Sequence, residues 1–136
     1  MDISTDLTSF FSDLFQDLPC EENTRAYIIN LFTQYRSAQF DLSKESIGLA
    51  FLTARNKNDF LLYQTIGDWV FFASSLYPES LRHANQDYYF DLGRLSYFSC
   101  YRLLNRSWQS YERLADSFIP LSRHIHYSFQ SSLSLP

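Results

Sequence analysis

An all-α bundle of five or six helices is what the sequence predicts, on three observations. Apolar residues recur at steps of three and four along most of the chain, as on amphipathic helices. No stretch alternates apolar and polar residues as a half-buried strand would. Glycine and proline number only 3 and 4 in 136 residues, which suits helices joined by short turns. There is no internal repeat and no linker-like segment, so residues 1–130 read as a single helical domain and residues 131–136 as a frayed C-terminal tail. A fold of this length buries roughly two thirds of the surface its unfolded chain exposes.

The first helix carries Ile3, Leu7, Phe10, Phe11, Leu14, Phe15 and Leu18 on one face, with caps near Ser4 and Thr5 and an end close to Pro19. A second begins near Glu22 or Asn23, buries Tyr27, Ile28, Leu31, Phe32 and Tyr35, and fades near Ala38. Ser43 reads as the cap of a short third helix through Ile47, Ala50, Phe51 and Ala54, closed by the polar turn from Arg55 to Asn58. The fourth runs from Asp59 to Tyr77, where Pro78 disfavours further helical geometry. A fifth, Gln86 to Leu104, places Gly93, Ser96, Ser99 and Cys100 where a neighbouring helix can approach closely. The last seam is Trp108, Tyr111, Ala115, Phe118, Ser122, Ile125 and Phe129, with Pro120 set to kink or split it.

Residues on a helix point about 100° apart, so Trp69, Val70, Phe71 and Phe72 look in almost every direction, and Tyr88, Tyr89 and Phe90 repeat the pattern. A small domain can wrap one such helix, while a second calls for cover from elsewhere. The expectation is therefore a noncatalytic interaction protein, self-associating or serving as an accessory or adaptor subunit of a bacterial assembly. Phe71, Phe72, Tyr88, Tyr89, Arg94 and Tyr97 are its partner-binding candidates, since aromatic residues and Arg are enriched where partners dock. The alternative is a small-molecule binder or enzyme with a pocket lined by Trp69, Tyr88, Tyr89, Tyr97 and Trp108. Asp68 stands on the most apolar helix. A buried carboxylate needs a partner, so a register-fixing pair with Arg82, Arg94 or Arg102 is expected, and Asp68→Asn should then lower thermal stability. Asp91 and Arg94 are three apart and can touch on the surface of the fifth helix beside Asp87.

Charge and motifs exclude more than they assign. Hydrophobic residues make up 46% and charged residues 19%, which argues against disorder. The formal charge of −4 runs as a gradient, −6 over residues 1–24, −1 over residues 25–91 and +3 over residues 92–136, so the ends should attract each other across the fold. Arg94, Arg102, Arg106, Arg113 and Arg123 fall on different faces and only two lysines accompany the arginines, which argues against nucleic acid as partner. No Glu stands three before a His, His124 and His126 face different directions, and the isolated glycines 48, 67 and 93 build no phosphate loop, so no metal, cofactor or catalytic residue is assigned. Cys20 and Cys100 lack a CxxC partner. The acidic start and the short apolar runs predict no membrane span and a cytoplasmic setting.

Gly67-Asp68, Leu76-Tyr77-Pro78-Glu79-Ser80-Leu81, and Asp87-Tyr88-Tyr89 followed by Gly93 and Tyr97 together resemble a family of uncharacterised conserved bacterial proteins. Weaker similarity reaches Thr24 to Leu31 and Leu114 to Phe118, and Pro120 departs from the family's last helix. The resemblance implies a small helical bacterial protein and brings no activity, cofactor or partner.

Overall fold

The computed structural model describes residues 3–37, 47–81 and 85–133. They form α1 (Ile3–Leu14), α2 (Glu22–Ser37), α3 (Ile47–Lys57), α4 (Phe60–Leu76), α5 (Gln86–Leu103), α6 (Gln109–Asp116) and α7 (Phe118–Leu133), with a single 3₁₀ turn at Pro78–Ser80. The all-α expectation holds, but the described residues contain seven α-helices, more than the five or six read from the sequence.

The extra helix comes from the last seam. The chain breaks at Ser117, whose backbone leaves helical geometry, so α6 and α7 are separate. Pro120 is the third residue of α7, in the first turn, where its missing N–H has no intrahelical partner to lose. Burial continues across the break through Tyr111, Leu114, Phe118, Leu121 and Ile125, so the apolar phase survives although the backbone does not run straight. Two smaller expectations shift as well: the first helix ends at Leu14, and α7 runs through Ser131 to Leu133. The expected cap Ser43 lies outside the described residues.

Local chemistry sets the other ends. The Asp59 side chain caps α4 by accepting from the Leu62 N–H at 3.1 Å, and Asn85 caps α5 by accepting from the Tyr88 N–H at 2.8 Å. Asn58 closes α3 with φ of +50°, a conformation Asn tolerates.

The α4–α5 pair is the most extensive helix contact, and α7, α3 and α2 also pack against α4. From Trp69 to Leu76 every residue of α4 is buried, so this chain wraps the C-terminal half of its most apolar helix on all sides, while Leu61 near the start of the helix stays exposed. Gly93 on α5 makes room for the Phe118 ring, which comes to within 2.5 Å of where a Cβ would stand. Glu21 and Arg113 join opposite ends of the charge gradient at 2.9 Å, an exposed ion pair of little energetic weight.

Candidate functional site

Two places concentrate chemistry, one inside and one outside. Inside, Asp68 on α4 is partly buried and accepts two hydrogen bonds on Oδ1, from the Tyr27 hydroxyl of α2 at 2.6 Å and the Tyr97 hydroxyl of α5 at 2.7 Å. The expected arginine partner is corrected. Arg94 instead reaches Asp91, Arg102 is exposed, and Arg82 lies outside the described residues. A phenol can serve here because its hydroxyl carries a donor on an apolar ring that packs where a guanidinium could not stay solvated.

Burial pushes the Asp68 carboxyl up to about 7, while the bonds from Tyr27 and Tyr97 hold it down. Burial and the neighbouring carboxylate also raise the Tyr27 and Tyr97 phenols well above their ordinary value. The cluster extends to Tyr111, whose hydroxyl accepts from Gln64 Nε2 at 2.6 Å, and to Trp108, whose ring meets Tyr111 at 4.9 Å and Tyr27 at 5.6 Å. Three helices are therefore tied to one carboxylate, and among the described residues no cation joins the bonding set.

Outside, α5 presents one face to solvent. Asp87, Tyr88, Asp91, Arg94, Leu95, Phe98 and Arg102 are all exposed, and at about 100° per residue they fall in one arc of roughly 120°. Tyr88, Leu95 and Phe98 leave 43%, 50% and 41% of their surfaces uncovered, so the arc sets three large apolar side chains among its charged ones. Arg94 and Asp91 pair at 3.4 Å across one turn, as their spacing predicts, and both remain accessible.

The partner-binding candidates separate accordingly. Phe71, Phe72, Tyr89 and Tyr97 are buried in the core and present no surface to a partner in this conformation, whereas Tyr88 and Arg94 stand on the exposed arc. Phe71 packs on Phe118 at 5.1 Å and Phe32 packs on Phe72 at 5.2 Å, so these rings serve the interior. Of the alternative pocket set, Trp69, Tyr89 and Tyr97 are likewise buried. Leu95, Phe98 and Tyr27 were missed as functional candidates. The first two carried a signal, since residues 88, 91, 95, 98 and 102 follow the alternating three-and-four spacing of a single helix stripe. Nothing in the sequence singled out Tyr27 from its neighbours.

Other reactive groups are quiet. Cys100 is buried, donates to the Phe60 carbonyl at 3.8 Å, and has its thiol pushed up to about 12 by burial and then by Asp68. Among the described residues no group of His, Cys, Asp and Glu side chains could hold a metal ion, and no helix is long and apolar enough to cross a membrane.

Compared with protein-family models, curated proteins and solved structures, the chain matches none. Its functional reading rests on the arrangement of its own residues.

Proposed function

We propose that this protein is a noncatalytic interaction protein that self-associates through the exposed arc of α5, two copies meeting with their α5 helices antiparallel. The observation that carries this reading is the self-complementary order of the arc. Asp87 and Asp91 lie toward its N-terminal end, Leu95 at its centre, and Arg102 toward its C-terminal end. Asp87 and Arg102 stand eight and seven residues from Leu95, so a two-fold axis at Leu95 sets Asp87 of one copy opposite Arg102 of the other. The same axis brings Tyr88 beside the second copy's Arg102, where ring and guanidinium attract, and opposes the two helix dipoles.

Leu95 and Phe98 supply the apolar centre. The helix has 18 residues and is about 27 Å long, so one such stripe covers less than the roughly 800 Å² per partner of a standard interface. The dimer should accordingly be weak and concentration-dependent.

Sedimentation velocity from about 5 to about 500 μM tests this, a range chosen for the weak contact expected from a small interface. The wild-type chain should shift toward a dimer as concentration rises, and Leu95→Arg, at a solvent-facing position, should hold it monomeric without lowering its Tm. Asp87→Arg should weaken the dimer, and adding Arg102→Asp should restore it. A wild-type monomer throughout, a dimer indifferent to Leu95→Arg, or failure of the double reversal to rescue would each overturn the proposal. The second of these would place the contact on another face.

A further inference from the structure

Asp68 uses only one of its two carboxylate oxygens. Both bonds it accepts among the described residues, from Tyr27 and Tyr97, fall on Oδ1, and none reaches Oδ2. The buried side-chain atoms left without a partner among those residues are Arg25 Nε and Ser96 Oγ, so the unbonded Oδ2, which is neither, is open to solvent. The hydroxyl of half-buried Thr65 is likewise unbonded and accessible.

Leu61, Thr65 and Asp68 are four and three residues apart, so they share one face of α4. Leu61 leaves 69% of its surface uncovered, Thr65 and Asp68 are half-buried, and from Trp69 onward the helix is closed. The strip therefore starts in solvent and ends at a carboxylate. α2 and α3 each pack against α4 and have at most a marginal contact with each other, which agrees with an uncovered face between them.

The charge at the end of the strip stands alone. Tyr27 and Tyr35 of α2, Tyr97 and Cys100 of α5 and Tyr111 of α6 all feel the Asp68 carboxyl, and burial above all raises each of them, so they stay neutral near pH 7. No charged side chain shifts the carboxyl, and the bases of α3, Arg55 and Lys57, are exposed in that helix's last turn. Thr65 and Asp68 also lie beyond the first turn of α4, where the positive end of the helix dipole would oppose a cation.

We propose that this strip binds a protonated primary amine with a short aliphatic body. Its ammonium group would donate to Asp68 Oδ2 and to the Thr65 hydroxyl oxygen, and its hydrocarbon would lie along Leu61. An ammonium carries three N–H donors and a full charge, so it both bonds the unused oxygen and compensates a carboxylate that the tyrosines stabilise without neutralising. A bare metal ion fits less well, because it needs more oxygen ligands than these two side chains supply. The site lies on α4 and does not depend on self-association through α5.

The probe is n-butylammonium chloride, set against potassium chloride and tetramethylammonium chloride at matched ionic strength. Titration followed by ¹H–¹⁵N NMR should give a saturable response centred on the backbone amides of Leu61, Thr65 and Asp68, with Kd below about 10 mM. Tetramethylammonium has the charge without the N–H donors and should bind roughly tenfold more weakly, as the loss of a hydrogen bond to a charged group implies. Asp68→Asn keeps an oxygen for both tyrosines and should abolish the response. Thr65→Val should weaken it, with its fold checked by retention of the other amide shifts. The amine competes with a proton for the carboxylate, so affinity should rise from about pH 6 to about pH 8, through the value of about 7 to which burial raises Asp68, and level off above it. An equal response to potassium or tetramethylammonium, shifts clustered elsewhere, wild-type affinity in Asp68→Asn, or an affinity flat across that pH range would each overturn the assignment.

Discussion

Replacing Asp68 by Asn separates the tyrosine-held carboxylate from the arginine pair that the sequence led us to expect. The Asn side chain keeps a carbonyl oxygen in the place of Oδ1, so both phenols of Tyr27 and Tyr97 can still donate, and only the charge is lost. In the folded chain the Asp68 carboxyl is raised from its ordinary 3.8 to about 7, so between those values the folded state holds a proton that the unfolded state has released. Stability should therefore fall as pH rises through that window and level off above about 7. A shift of about 3 units corresponds to about 4 kcal/mol at 1.36 kcal/mol per unit. Asp68 retains some contact with solvent, so roughly half of that, ~2 kcal/mol, is the magnitude to expect. Urea unfolding of wild type and Asp68→Asn between about pH 4 and about pH 8.5 measures it. The two should be nearly equal at the acid end, and the variant more stable by ~2 kcal/mol at the alkaline end. Their difference cancels other titrating groups. Parallel curves, or a variant less stable at high pH as a lost ion pair would make it, would refute the reasoning.

Two further substitutions probe the same interior. Tyr27→Phe removes the 2.6 Å bond to the carboxylate and should cost about 1.5–3 kcal/mol at alkaline pH, as a hydrogen bond to a charged group does. Because that phenol holds the Asp68 carboxyl down, the pH at which stability levels off should also move upward in the same urea series. Gly93→Ala sets a Cβ at 2.5 Å from the Phe118 ring, which is buried and ringed by Phe71, Phe90 and Tyr97. The overpacking cost of about 1–3 kcal/mol should outweigh the gain of about 1 kcal/mol from replacing a helical glycine. Calorimetry should show a Tm lower by several degrees, and an unchanged or higher Tm would mean that Phe118 moves aside freely.

The helices were legible because their signals are local. The three-and-four recurrence, the caps at Asp59 and Asn85, and the stop at Pro78 act within a few residues, and the structure places helix ends close to them. The split at Ser117 was only half visible, since Pro120 announced a disruption but the break falls three residues earlier, leaving the proline in a first turn that tolerates it. Partner choice for Asp68 was not legible at all. The carboxylate's cost of burial could be read from its place among apolar neighbours, but Tyr27 and Tyr97 lie 41 and 29 residues away in sequence, and only packing brings them together.

The aromatic excess, which suggested an unspent surface, illustrates why composition alone misplaces an interface. Edge-to-face contacts absorb rings efficiently, and Phe32 alone meets Phe11, Phe15, Phe71 and Phe72 within 6.1 Å. A chain that stacks its rings this way can bury an all-round apolar segment such as Trp69 to Leu76 of α4 without help. What it leaves over is decided by geometry. α5 flanks α4 and turns its small residues Gly93, Ser96, Ser99 and Cys100 inward, so the larger Tyr88, Leu95 and Phe98 are carried to the opposite side. Close approach on one face of α5 thus fixes which residues the other face must show. A docking surface on this molecule is better sought behind its small-residue groove than in its densest aromatic cluster.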